Sequence, residues 1–259
     1  MEYFPLSVHK MICTGKSRIL YALVQAQPNF MSDGGIFVRK WILLFLILVF
    51  ADVFAISSLK EHVSLEDLRK AGIPVGEMEK AGISLEEMQL YLPFWQDMEF
   101  FPLAVCPSER KNPFSFADTW MEARNYGGKR KHEGCDIFGK EMLSGYYPVI
   151  SITDGTVEKV GWLPLGGWRI GIRSPGGGYF YYAHLSGYGR KFQEGEAVRA
   201  GELLGFLGDS GYGEEGTCGK FAPHLHMGVY VRYKEDEEYA LNPYPVLVYL
   251  KDHTKEISY

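Results

Sequence analysis

The chain carries seven histidines, and four of them fall in three short motifs whose spacing suits metal chemistry. His132-Glu133-Gly134-Cys135-Asp136 sets a histidine and an aspartate four apart. His224-Leu225-His226 sets two histidines two apart, and Tyr182-Ala183-His184-Leu185 lies between these motifs. Three ligands of this kind hold a zinc ion and leave a fourth position for water. The ion acidifies that water toward neutral pH, so that hydroxide is available to attack a carbonyl. His132, Asp136 and one member of the His224/His226 pair make such a set, and the two remaining histidines are then free for proton handling.

The elements around these residues can position them. Leu225, Met227, Val229 and Val231 alternate along the chain, so a strand there turns four apolar side chains to a core and sets His224 and His226 together on its other face. Gly134 disfavours a helix through the first motif, which predicts that His132 and Asp136 converge from a loop entering a strand. On such an extended segment the Cys135 side chain points away from Asp136. That disfavours the competing arrangement, a closed structural zinc site with Cys135 or Cys218 as fourth ligand. Two hairpins are expected downstream. One joins Ile150–Thr153 to Thr156–Val160 through Asp154-Gly155, and the other joins Arg169–Arg173 to Tyr179–Ala183 through a Pro-Gly-Gly-Gly turn, with His184 at a strand end. Hairpins at close intervals predict a small, mostly β, antiparallel domain.

The order of further motifs adds to this. Phe116-Ala117-Asp118-Thr119-Trp120, Arg124, Gly127-Gly128 and the His132 motif are followed by Asp154-Gly155-Thr156-Val157, Gly176-Gly177-Gly178-Tyr179 and the His184 motif. Then come Gly195-Glu196-Ala197-Val198-Arg199-Ala200-Gly201-Glu202, Gly205 and Pro223-His224-Leu225-His226-Met227-Gly228. Over roughly residues 110 to 245 the chain resembles the lysostaphin/LytM-type peptidases of the M23 metallopeptidase family. The resemblance implies one Zn2+ per chain held by His132, Asp136 and His226, with His184 and His224 as the catalytic pair that does not bind metal. It also implies a small antiparallel two-sheet β sandwich with the metal in an open groove, and the peptide stems or cross-bridges of bacterial peptidoglycan as substrate. Tyr179, Tyr181, Trp162 and Trp168 are candidates to line that groove. Some relatives have lost ligands and act as scaffolds, and the complete set of five here argues for cleavage. The alternatives are a non-cleaving envelope scaffold or activator that uses the same groove, and a phosphocarrier of related β architecture. Retained ligands disfavour the first and an export signal the second.

The rest of the chain divides by composition. Residues 1–56 form an N-terminal extension and a signal peptide or signal anchor: Arg39-Lys40 precede an apolar run from Trp41 that Asp52 interrupts, with Val53-x-Ala55 as a cleavage site and residues 41–56 as the alternative membrane anchor. Either way the remainder is expected in the envelope or outside the cell. Residues 57–105 hold a ten-residue repeat, read as short helices capped by Ser64 with Asp67 and by Ser84 with Glu87, stopped by Gly72 and Gly82, and serving as a stalk or packing collar. The resemblance implies an M23-like zinc peptidase domain over residues 106–250, leaving 251–259 as a C-terminal tail. With 46% apolar and 15% aromatic residues the chain is globular, and a net charge of −5 gives no case for nucleic-acid binding. Lys129-Arg130-Lys131 is read as solvated or as steering substrate. Cys135 and Cys218 lie close to motifs that must meet in space, so they are candidates for a disulfide in an oxidising envelope. Cys13 and Cys106 have no partner in this reading, and the sequence does not define an oligomeric state.

Overall fold

The computed structural model describes residues 63–105, 113–125, 128–234 and 237–257. The proposed signal or anchor at 41–56, Cys13 and Cys106 lie outside these described residues. Among them no helix is long and apolar enough to cross a membrane.

The repeat folds as three short helices, α1 (Leu65–Lys70), α2 (Val75–Lys80) and α3 (Leu85–Met88). Ser64 and Asp67 form a reciprocal capping box at the start of α1, and the Ser84 hydroxyl accepts the Glu87 N–H at 3.2 Å at the start of α3. Gly72 and Gly82, at φ +82° and +74°, let the chain leave α1 and α2 through the left-handed region. Each unit sends apolar side chains inward. Leu68, Ile73, Val75, Met78, Ile83 and Met88 join Tyr91, Phe94 and Trp95 in the same core as the strands that follow. Trp95 Nε1 donates to the Gly72 carbonyl at 3.2 Å, and the Tyr91 hydroxyl donates to the Asn242 carbonyl at 2.8 Å. The repeat is therefore a collar on the β region, not a free stalk.

Among the described residues thirteen strands follow: β1 (Phe114–Phe116), β2 (Ala123–Arg124), β3 (Arg130–Lys131), β4 (Cys135–Gly139), β5 (Pro148–Ile150), β6 (Gly155–Leu163), β7 (Gly167–Arg173), β8 (Gly178–Leu185), β9 (Gly187–Tyr188), β10 (Ala197–Val198), β11 (Leu203–Phe206), β12 (Leu225–Lys234) and β13 (Glu237–Leu241). Helix α4 (Tyr244–Leu250) closes the fold. The large sheet runs β1-β4-β12-β8-β7-β6-β10 with β13 also on β12, a small sheet runs β5-β11-β9, and β2 and β3 form a separate ribbon. The mostly β, antiparallel, two-sheet expectation holds. Helix α4 buries Val246, Leu247 and Leu250.

One of the two expected hairpins is present. Strands β7 and β8 pair across Ser174–Gly177 with Arg173 opposite Tyr179. The other is corrected: Asp154-Gly155 joins two different sheets, since β5 pairs with β11 while β6 pairs with β7 and β10. The reason is burial. Ile150, Ser151, Ile152 and Thr153 are all buried, so the segment passes through the core between sheets rather than turning back at an edge. Gly155 is glycine because a Cβ there would run into the Arg173 carbonyl of the neighbouring strand.

Candidate active site

Strand β12 sits between β4 and β8, with His226 directly opposite Asp136 on one side and Ala183 on the other. Leu225, Met227 and Val229 are buried to 1% exposure or less on the inner face, which turns His226 and Asp136 outward together. His132 reaches the same point from the loop before β4. Its Nε2 lies 3.1 Å from Asp136 Oδ1 and 3.0 Å from His226 Nδ1, and His226 Nδ1 lies 3.0 Å from the same Oδ1. Gly134 makes room for this, because a Cβ there would run into the His226 ring. Among the described residues these three form the one group of three or more histidine, cysteine and acidic side chains able to share a metal ion.

The donor set fits zinc. Two imidazoles and a carboxylate are ordinary zinc ligands, and bonds of about 2.0–2.2 Å in a regular tetrahedron space the ligand atoms about 3.3–3.6 Å apart. The observed triangle is a few tenths of an ångström tighter. Cys135 is buried beside the Ala117 carbonyl and Cys218 is exposed, so neither joins the cluster as a fourth ligand. The two cysteines are free, which corrects the disulfide expectation: Cys135 lies on the core face of β4, away from the groove. Burial, with the Asp136 charge beside it, pushes its thiol up to about 12.

The other two histidines meet the cluster from its open side. His224 Nδ1 lies 2.8 Å from the Ala222 carbonyl, and His184 Nδ1 lies 2.8 Å from the Ser210 carbonyl. A carbonyl only accepts, so each Nδ1 carries the proton and each Nε2 keeps its lone pair for the groove. The His224 Nε2 is 3.6 Å from Asp136 Oδ1, and the His184 and His224 rings lie 4.9 Å apart. His184 is held at φ +62°, a left-handed conformation uncommon outside glycine, with its N–H donated to the Gly166 carbonyl. Burial, and then the charges of His224 and His226, lower its pKa to about 3, so it is neutral at ordinary pH. Burial also raises the Asp136 carboxyl, but the bonds to His132 and His226 outweigh this and hold it well below the usual carboxylate range. The Arg124 guanidinium donates to Asp136 Oδ2 at 3.0 Å, which keeps that oxygen occupied while Oδ1 faces the histidines.

These residues floor a cleft of about 500 Å³. Of the four aromatics named from sequence, Tyr181 lines it. Tyr179, Trp162 and Trp168 do not; the two tryptophans form a cross-strand pair with centroids 5.3 Å apart. Sequence reading missed Phe138, Leu165, Tyr212, Phe221 and Tyr230, which also line it. The segment from Asp209 to Pro223, which carries Tyr212 and Phe221, holds Gly211, Gly213, Gly216 and Gly219. A long glycine-rich connection directly before a His-x-His strand is the signal that marks it as a binding loop.

Residues 130–243 match the model of Peptidase family M23. The chain is 44% identical over 147 residues to the L-Ala--D-Glu endopeptidase of Bacillus subtilis (strain 168), covering 57% of this chain and 42% of that protein. It therefore spans less than half the length of that relative. It is 44% identical to a candidate glycyl-glycine endopeptidase, lytM, of Ruminococcus gnavus ATCC 29149, covering 76% of each chain with a TM-score of 0.61. It is 31% identical to the catalytic domain of lysostaphin from Staphylococcus simulans, covering 53% of this chain and 94% of that one, with a TM-score of 0.41. The chain belongs to peptidase family M23.

Proposed function

We propose that the chain is a zinc endopeptidase that hydrolyses peptide bonds in bacterial peptidoglycan, with His132, Asp136 and His226 as metal ligands and His184 and His224 as the catalytic pair. The observation that carries this reading is the 3.0–3.1 Å triangle of ligand atoms, with His224 Nε2 3.6 Å from Asp136 Oδ1 and the His184 ring centroid 5.9 Å from that of His226. A zinc ion bound there would supply Lewis acidity at the scissile carbonyl and lower the pKa of water.

The remaining steps belong to side chains. His224 Nε2, close to Asp136, accepts a proton from the attacking water. The proton so gained by His224 passes to the departing amine, while His184, whose Nδ1–H is held by the Ser210 carbonyl, offers its Nε2 lone pair as an acceptor that orients the attacking water. Tyr181, edge-on to His226 with centroids 6.0 Å apart, walls the groove against water. Relatives named for an L-Ala–D-Glu bond and for a glycyl-glycine bond support a peptidoglycan peptide as substrate. We place the chain in the cell envelope or outside the cell, exported or anchored through residues 41–56.

Metal analysis and wall-digest mass spectrometry on three proteins test the reading. Wild type is expected to hold one zinc and release new amines from peptidoglycan. His132→Ala should lose both metal and cleavage, and His184→Ala should keep the metal and lose cleavage. A wild-type protein that holds stoichiometric zinc yet releases no amine from any wall would move the assignment to a non-cleaving scaffold.

A further inference from the structure

Strand β7 sets two arginines on the face of the large sheet that floors the groove. Ile170 and Ile172 are fully buried in the core, so period two turns Arg169, Gly171 and Arg173 to the opposite face, which also carries Tyr179 and Tyr181 of β8. Across the β7–β8 ladder Arg173 faces Tyr179 and Gly171 faces Tyr181. The register then shifts, so that one residue, Arg169, stands opposite two, Ala183 and His184. At that bulge His184 takes its left-handed conformation. The Tyr181 hydroxyl reaches back to Gly166, where a Cβ would run into it, and Gly166 lines the cleft. Burial raises the Tyr179 and Tyr181 phenols, and the Arg169 charge works against this on both, which marks the guanidinium as a near neighbour of the two rings.

The two arginines differ in company. Arg173 donates to both carboxylate oxygens of Glu158, at 2.7 and 2.8 Å, and pairs with Glu238 as well. Among the described residues no acid pairs with Arg169, and its Nη1 is the one buried side-chain nitrogen or oxygen without a hydrogen-bond partner. Nor does any hydrogen bond among them engage the Tyr181 hydroxyl. A guanidinium nitrogen that leaves water and gains no acceptor works against folding. Its presence in the groove floor calls for an acceptor that arrives from outside the fold.

We propose that Arg169 and the Tyr181 hydroxyl form a carboxylate-binding subsite in the groove floor, selecting peptides with a free carboxylate close to the bond cut; this rests on the peptidase reading above. A guanidinium fork offers paired donors that match the two oxygens of a carboxylate, and the phenol adds another. The Arg169 guanidinium has no ion pair to break before it turns to an arriving anion, and that anion becomes the charge partner that Glu158 is to Arg173. Tyr181 links the subsite to the ligand cluster, its ring centroid 6.0 Å from that of His226, a span of about two residues of extended chain. An end-capped all-glycine peptide offers this subsite nothing.

The test is a calorimetric titration of the full chain carrying His224→Ala and loaded with zinc. Two end-capped peptides are compared: acetyl-Ala-γ-D-Glu-Ala-amide, whose glutamate keeps a free carboxylate, and the same peptide with that group as its amide. The acid should bind about 10-fold more tightly at low salt, with the preference shrinking as ionic strength rises. Adding Arg169→Gln should bring the two affinities within about twofold, while the affinity for the amide and the thermal midpoint stay where they were. Arg169→Lys should restore part of the preference by returning the charge without the fork. Equal affinities would leave Nη1 to water and overturn the subsite. So would no binding of either peptide, a preference that survives Arg169→Gln, or a Gln variant that melts earlier and loses both peptides alike. Because the readout is binding to a chain that cannot cut, absence of cleavage by zinc-loaded wild type counts against the peptidase reading alone.

Discussion

The β4–β12 strand pair has two faces made from the same ten or so residues, and they do opposite work. On the inner face Cys135, Ile137, Leu225, Met227 and Val229 are 1% exposed or less. On the outer face Asp136 and His226 stand directly opposite one another in a groove shared with Tyr181 and Tyr230. Period two separates them, so a one-residue slip in register would exchange core for site. Burying each inner side chain stabilises the pair by roughly 1.5–3 kcal/mol, and that fixes the two strands well enough for the outer face to hold a desolvated carboxylate against two imidazoles. The rigid face supplies the geometry, and the reactive face uses it.

The largest effect expected from separating the faces is on the outer side. His226→Ala should remove the metal and lower cleavage by roughly 10³-fold or more, the scale of the several kcal/mol a Lewis acid supplies, while the thermal midpoint measured without metal changes by only a few degrees. Its neighbour behaves in the reverse way. Met227→Ala should cost about 2–5 kcal/mol of stability in denaturant titrations, yet the molecules that remain folded should bind zinc one to one and cut at the wild-type rate. If Met227→Ala abolished zinc binding while still folded, the two faces would not be separable.

A smaller effect is expected where the ribbon touches the outer face. Arg124 donates to Asp136 Oδ2, and its nearest nitrogen is 2.9 Å from His132 Nδ1, so one arginine touches two of the three candidate ligands from behind. Arg124→Gln should weaken zinc binding by about 10–100-fold in a competition with a chromophoric chelator, the usual loss when an outer partner of a metal ligand is removed. An unchanged affinity would show that the strands alone hold Asp136 in place.

The period-two pattern made the inner face legible from sequence, and it placed His226 opposite the core because alternating Leu225, Met227, Val229 and Val231 leave no other side for it. Gly134 likewise revealed the loop-into-strand path of His132 and Asp136. Where the reading failed, the cause was tertiary. Asp154-Gly155 has the local chemistry of a hairpin turn, but the chain there crosses between sheets, and nothing local encodes which sheet a buried Ile-Ser-Ile-Thr segment joins. Trp162 and Trp168 were expected in the groove on residue type alone, yet they pack on each other across β6 and β7, since aromatic residues in strands satisfy a neighbour as readily as a ligand. The loop residues Tyr212 and Phe221 had no periodicity to betray them. Their position follows from the backbone path of a glycine-rich segment, which sequence pattern does not specify.

The smallest expected effect separates the collar from the sheet. Ser64 and Asp67 exchange three bonds: Asp67 N–H donates to Ser64 Oγ at 3.2 Å, and the Ser64 N–H and hydroxyl donate to Asp67 Oδ2 at 3.0 and 2.6 Å. Ser84 makes one such bond, from Glu87 N–H. Ser64→Ala should therefore cost about 1 kcal/mol and Ser84→Ala somewhat less, read as a modest fall in thermal midpoint with zinc affinity and cleavage unaltered. The shape of the transition carries the sharper information. Leu68, Met78 and Met88 share one core with Phe180 and Val229, so each capping variant should still unfold in a single calorimetric step at a lower temperature. A second, earlier step confined to the helices would mean that the collar melts independently, and that the apolar contacts beneath it do not couple its folding to the strands that carry Asp136 and His226.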